Sequence, residues 1–193
     1  MKAVFLSIRP NWCKLIWSGM KTIEVRKTRP TLETPFKAYI YCTGHNGWVM
    51  KSPKAGVQKM DSRVIGEFTC DKIDRLTHVE AMGSNEPPKL QIVTPDLWYK
   101  PADELLQAAC LTEAQAKKYL KGGDGYGWHI SDLKIYDKPV KLKNFWAIQP
   151  CTHRVDCCTC RRWDAEKLIC RGEVFGIERP PQSWYYVEEG RCT

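Results

Sequence analysis

Two groups of side chains in this sequence have the types and spacing to do chemistry. The first is the run Lys21-Thr22-Ile23-Glu24-Val25-Arg26. An extended strand turns Ile23 and Val25 to one side and Thr22, Glu24 and Arg26 to the other. A hydroxyl, a carboxylate and a guanidinium on one strand face suit the edge of a planar polar ligand. The carboxylate accepts from amino groups, while Lys21 and Arg26 hold phosphate or carbonyl oxygens. The plainer alternative is a structural Glu24–Arg26 pair that only fixes the fold. The second group is at the other end, where Cys151, Cys157, Cys158, Cys160, Cys170 and Cys192 crowd together. Cys157 and Cys160 have the chelate spacing of half a zinc site, and Cys151 and Cys170 would complete a four-thiolate set for one structural zinc ion. Cys158 or His153 are substitutes within that set. The alternatives are a loose reduced tail and an iron–sulfur cluster.

Single residues add to these groups. Glu67 follows Gly66 in an apolar strand and is read as a partner for an arginine or as a second carboxylate opposite Lys21 or Arg26. Trp48, among Gly44, His45, Asn46 and Gly47, offers a ring for stacking on a base or for local packing. His129, between Trp128 and Ile130, is read as a packed or surface histidine rather than a base. Cys13, Cys42, Cys70 and Cys110 are scattered singly among apolar residues and read as small buried hydrophobes.

Charge placement favours the front of the chain. The formal net charge is +8 over 193 residues. Residues 1–30 hold seven Lys/Arg, Arg9 among them, against the single acid Glu24, whereas residues 151–193 hold seven of each sign. A basic surplus gathered at one end of a fold is the footprint of a phosphate-bearing partner, unless the cations merely solvate a surface. Hydrophobic content of 43% and charged content of 27% are those of a soluble globular protein. No stretch reaches the ~18 apolar residues of a membrane span, and the apolar start is too short for a signal peptide. The expectation is a cytoplasmic protein without membrane contact, in which the ten cysteines are not a secreted disulfide framework.

The elements that position these residues follow from local pattern. Residues 3–8 form a buried strand; Pro10 opens a short helix and Gly19 closes it, with Trp12, Leu15 and Ile16 on one face. Residues 21–27 are a half-buried strand. Ala38–Thr43 and Arg63–Ile73 are further strands, separated by a long loop from Gly44 to Asp61. Residues 84–101 are rich in proline and read as loop with one brief extended piece. Helices are expected at 102–109 and at 112–121, the second capped by Thr112 and stopped by Gly122-Gly123. Gly127–Asp137 and Val140–Phe145 are strands. Many short strands with few helices point to an α+β fold built on a mixed, mostly antiparallel barrel.

Ser7-Ile8-Arg9-Pro10 followed by Ser18-Gly19-Met20-Lys21-Thr22-Ile23-Glu24-Val25-Arg26-Lys27 resembles the signature of ASCH domains. Val64-Ile65-Gly66-Glu67-Phe68 resembles that family's next strand, and Gly127–Leu142 its closing strands. The resemblance covers about residues 2–145. It implies a small PUA-like β-barrel, here residues 1–148, with a cleft lined by the Lys-Thr-x-Glu-x-Arg strand. Residues 149–193 are then a cysteine-rich C-terminal extension. Its Arg179–Val187 segment resembles a tail recurrent in related ASCH proteins and is expected to dock along the barrel.

The family implies RNA or a modified nucleoside as ligand, bound by Arg9, Lys21, Thr22, Glu24, Arg26 and Trp48. Some members are amidohydrolases acting on an acylated nucleoside; there the resemblance puts a threonine nucleophile where this chain has Glu24. A carboxylate attacking an amide would leave an anhydride, so that assignment does not transfer. Others are ribonucleases, whose acid–base chemistry and phosphate stabilisation Lys21, Glu24 and Arg26 would serve, with Glu67 as a second carboxylate. Three functions follow: an RNA- or nucleoside-binding module, a hydrolase acting on RNA or an acylated nucleoside, and a protein-interaction module with a vestigial cleft.

Overall fold

In a computed structural model the chain is described over residues 2–44, 47–80, 87–149, 163–164, 169–170 and 173–188. In chain order the first elements are β1 (Lys2–Ile8), α1 (Pro10–Trp17), β2 (Ile23–Arg26), β3 (Phe36–Cys42), β4 (Val49–Ser52), β5 (Gly56–Lys59), β6 (Arg63–Cys70) and β7 (Ile73–Val79). Then come β8 (Lys89–Val93), β9 (Tyr99–Pro101), α2 (Asp103–Ala108), α3 (Glu113–Leu120), β10 (Gly125–His129) and β11 (Ser131–Lys141). The last are β12 (Trp146–Gln149), β13 (Trp163–Asp164), β14 (Ile169–Cys170), β15 (Glu173–Gly176) and β16 (Trp184–Glu188). The class is α+β, as expected, and mostly antiparallel. Among the described residues no helix is long and apolar enough to cross a membrane.

The chain divides into two compact units. The first comprises Met1–Ile8, Lys37–Gly66 and Tyr136–Thr193. Its backbone is the seven-stranded sheet β11-β6-β3-β1-β16-β12-β15. β1 lies parallel to β3 and antiparallel to β16. β1 is a central strand, and Ala3 through Ile8 are all buried, so both of its faces are covered. Phe5, Tyr39 and Phe145 meet edge to face at 5.2 Å and, with Tyr41, Val64, Ala147, Ile177 and Val187, form the core of this unit. The Arg179–Val187 segment therefore does more than dock along a surface: Trp184–Glu188 is a strand paired with both β1 and β12.

The second unit comprises Arg9–Phe36 and Glu67–Ile135. Its sheet is β2-β10-β7-β8-β9, antiparallel throughout. One face turns Ile23, Val25, Leu76, Leu90 and Ile92 toward Leu105 and Leu106 of α2 and Ala116 and Leu120 of α3. The expected Thr112 cap of α3 is present, and Gln115 completes it, the two exchanging side-chain and backbone hydrogen bonds across the first turn.

Neither large sheet closes among the described residues: one order runs from β11 to β15 and the other from β2 to β9. Two expected loops contain strands. Residues 44–61 hold the β4–β5 hairpin, which among the described residues forms a two-stranded sheet of its own, with Ser52 donating to the Asp137 carboxylate at 2.8 Å. Residues 84–101 hold β8 and β9, where buried Leu90 and Ile92 alternate with Gln91. Pro101 is accommodated there because β9 is an edge strand.

Gly127 sets how closely β10 approaches α2. A methyl group there would lie 2.9 Å from Leu105 Cδ1 and 3.2 Å from Ile23 Cγ2. Overpacking of this kind typically costs about 1–3 kcal/mol. Gly127→Ala should therefore lower the unfolding free energy read from urea titration by that amount, whereas an alanine at exposed Gly123, whose nearest neighbour is a carbonyl at 3.5 Å, should change it little.

Candidate functional site

The chain leaves α1 through Ser18 and Gly19, and Gly19 takes φ +74°, a left-handed corner that favours glycine. The corner turns the backbone straight into β2 and brings it to the C-terminal end of α2. The last carbonyls of a helix have no partner within it. Here the Thr22 N–H donates to Ala108 O at 2.9 Å and the Lys21 ammonium donates to Ala109 O at 2.7 Å. The cation also sits at the negative end of the helix.

Lys21 then reaches Glu24 Oε2 at 3.4 Å, while Arg26 Nε lies 3.1 Å from Glu24 Oε1. One carboxylate is thus bracketed by two cations, with side-chain exposures of only 2%, 9% and 7% for Lys21, Glu24 and Arg26. Both faces of β2 are buried rather than one. Burial pushes the Lys21 ammonium below its ordinary range, and the neighbouring Glu24 carboxylate recovers only part of the fall.

Aromatic rings stand beside these cations. Lys21 Nζ lies 5.0 Å from the Trp12 ring centre, Lys27 Nζ 5.3 Å from Tyr119, and the Arg29 guanidinium 6.0 Å from Tyr126. Burial raises the Tyr119 hydroxyl, with Arg26 and Arg9 pulling the other way, so exposed Arg9 acts on the same neighbourhood.

No family model matches the chain, and no curated protein matches it. Solved structures do. The crystal structure of ASCH from Zymomonas mobilis superposes with a TM-score of 0.53 at 16% identity, over 98% of this chain and 90% of that one. A point mutant of the same protein gives 0.53 at 16%, over 99% and 94%. This chain has the ASCH fold.

Within that ASCH fold, Lys21, Glu24 and Arg26 form one cluster, and Arg9 acts electrostatically on Tyr119 beside it. Thr22 is exposed, and its backbone does the anchoring, accepting from Ile130 N–H as well as donating to Ala108. Glu67 is half-buried on β6 in the same unit. Trp48 belongs to the other unit, where its N–H donates to the fully buried Asp61 carboxylate at 3.0 Å. His129 pairs with Asp74 at 2.7 Å, and Lys72 pairs with the same carboxylate at 2.9 Å. Burial of Asp74 opposes its ionisation, but hydrogen bonds from Lys72 and His129 together hold it below the usual carboxylate range.

Sequence reasoning missed Trp12, Tyr119 and Tyr126 as neighbours of the site. Trp12 had a signal, its place on one face of α1 beside Leu15, but that pattern speaks for packing. Tyr119 is a partly exposed helix residue and carried none.

Of the candidate zinc ligands, Cys151, Cys157 and Cys160 lie outside the described residues, and Cys170 is described only as backbone paired with Trp163. Among the described residues no group of three or more His, Cys, Asp or Glu is arranged to hold a metal. Cys13, Cys42 and Cys70 are buried free thiols, as expected, and Cys110 is half-buried, donating to Met20 O at 3.3 Å. Burial pushes the Cys70 thiol up to about 12.

Lys21 can be tested directly. Lys21→Met fills similar space but strands the Ala109 carbonyl and leaves Glu24 with one cation fewer. Breaking a buried pair from one side costs about 3–5 kcal/mol. Urea unfolding should show a loss of that order, while Lys27→Met, at an exposed position, should lose well under about 1 kcal/mol.

Proposed function

We propose that this chain is an ASCH protein that binds RNA or a modified nucleoside through the surface around Lys21–Arg26. The observation that carries this reading is the set of cations paired with aromatic rings on and beside β2: Lys21 with Trp12 and Lys27 with Tyr119 around the buried Glu24 carboxylate, and Arg29 with Tyr126, which lies opposite Arg26. Cations attract phosphate, rings stack on bases, and a carboxylate accepts from base amino groups. The concentration of positive charge in residues 1–30 supports the same partner.

Arg26 and Lys21 fix Glu24 in place, so the carboxylate is preorganised to recognise, and the exposed Arg9 and Lys27 supply the first electrostatic attraction. Closure of the strands into a PUA-like barrel with a basic cleft, a cytoplasmic location, and one structural zinc held by Cys151, Cys157, Cys160 and Cys170 belong to this proposal and rest on the sequence.

The second reading is a hydrolase acting on RNA or an acylated nucleoside. It is supported by the lowered Lys21 ammonium, which brings a lysine closer to a useful proton-transfer range. In that case product formation should rise with pH as Lys21 loses its proton and should vanish in Lys21→Met.

Binding is measured by fluorescence anisotropy of a labelled single-stranded RNA over a salt series. Single strands lose affinity with a log–log slope of about −0.7 per neutralised phosphate. The double variant Arg9→Gln/Lys27→Gln should therefore bind more weakly and flatten the slope by about 1.4. Absence of binding at low salt to RNA, DNA and free nucleosides would remove the reading.

A further inference from the structure

The sheet of the second unit has two faces: one packs against α2 and α3, and the other is buried around Trp128, which meets Phe36 edge to face, and opens to solvent toward β9. The pairing registers place Arg26 opposite Tyr126, Tyr126 opposite Arg75, Arg75 opposite Val93, and Val93 opposite Tyr99. Residues opposite one another in adjacent strands share a face, so these five form one row across all five strands. The alternate residues Val25, Leu76 and Ile92 point the other way, into the core with α2 and α3.

The row starts buried and ends exposed. Arg26 belongs to the carboxylate cluster, Tyr126 and Val93 are half-buried, and Arg75 and Tyr99 are exposed. Arg29 is stacked over Tyr126. Asp124 takes the Arg75 guanidinium by its edge, at 2.6 Å to Nη2 and 3.0 Å to Nε. An arginine held by its edge keeps a fixed plane, and the plane is what stacks on a base. Gln91 and Lys89 continue the same face along β8, next to the row. With strands about 4.8 Å apart, Tyr126 and Tyr99 stand roughly 14 Å from each other, with Arg75 between them.

We infer that this face is a stacking platform for single-stranded RNA, with Tyr126 and Tyr99 each receiving a base and Arg29 and Arg75 holding the strand between them. The platform rests on the binding function proposed above and extends it, because it gives the strand a path from the Glu24 cluster across the sheet. A row of tyrosines alternating with guanidinium groups is complementary to a chain that alternates flat bases with phosphates. Arg75 keeps Asp124 as its anion, so an apolar protein surface would bring no added partner charge to the Arg29 guanidinium or the Lys89 ammonium. A duplex hides its base faces, so the platform selects single strands.

The test uses the full-length reduced protein and a 2-aminopurine-labelled single-stranded RNA of about 12 nucleotides, a length within one site of this kind. Binding to the parent protein should quench the 2-aminopurine, and the matching duplex should bind more weakly. Tyr126→Leu and Tyr99→Ala should each weaken binding by about fivefold or more, the lower end for loss of one stacked base, and should diminish the quench. Tyr126→Phe should keep both affinity and quench. Arg29→Gln should flatten the salt slope, whereas the tyrosine variants should leave it unchanged.

Tyr126 is half-buried, so its variants are compared at matched urea midpoints; Tyr99 is exposed and serves as the variant that cannot fail through folding. Unchanged affinity and quench in both Tyr126→Leu and Tyr99→Ala overturn the platform. If Arg9→Gln/Lys27→Gln still weakens binding, the broader binding function survives that result. If the parent protein binds no RNA at low salt, both fall.

Discussion

The buried ammonium of Lys21 is where the second unit is tied together. It ends α2 by accepting the role of partner to Ala109 O, it neutralises half of the Glu24 environment, and it stands beside Trp12 of α1. Taking an ammonium out of water costs several kcal/mol, which a single ion pair rarely offsets. Lys21 is tolerated because three kinds of partner converge on it: a carboxylate, a helix-end carbonyl and an aromatic face. Remove any of them and the desolvation cost is left standing. The lowered ammonium is the record of that balance, since burial outweighs the attraction of Glu24.

That constraint explains the path of the chain. The left-handed corner at Gly19 exists so that Lys21 and Thr22 arrive at α2 with an ammonium and an N–H pointing at Ala109 and Ala108. β2 follows directly and becomes the edge of its sheet, which lets Glu24 and Arg26 remain together beside it. Gly127 on the neighbouring strand has no side chain because Leu105 of the same α2 presses against it. One helix of six residues is therefore held by a cation at its end and by close backbone approach along its side. The aromatic neighbours, Trp12, Tyr119 and Tyr126, come from three different elements and meet only when these contacts are made.

Local pattern revealed what local physics determines. The alternation of Ile23 and Val25 marks β2, Pro10 and Gly19 bound α1, and Thr112 with Gly122-Gly123 bounds α3. The Glu24–Arg26 pairing was also legible, because the two lie two residues apart on a strand. The contact from Lys21 to Ala109 spans 88 residues and left no trace in spacing. β8 and β9 were hidden by the prolines around them, although Leu90 and Ile92 carry the alternation of a strand over five residues. The β4–β5 hairpin was hidden for a different reason: it pairs with itself and exposes Val49 and Val57, so it lacks a buried face to mark it. The strand Trp184–Glu188 was missed because its neighbours, β1 and β12, are remote in sequence and nothing nearby signals pairing.

A carboxylate held between two cations, with side chains less than a tenth exposed, is a costly way to make a core. Apolar residues of similar volume often serve stability as well or better. The sequence nevertheless keeps Lys21, Glu24 and Arg26 at the edge of a sheet in which the row of Arg26 continues through Tyr126, Arg75 and Val93 to Tyr99. A structural ion pair has no reason to be followed in register by a half-buried ring, an exposed guanidinium and an exposed ring. A surface that must present fixed acceptors and donors to a charged, flat-faced ligand does. The buried cluster supplies rigidity, since none of its three groups can reorient without losing a partner. The exposed row supplies area and charge. Their common register on one sheet face is what would join the two into the single recognition surface proposed above rather than leave a core defect beside an unrelated patch.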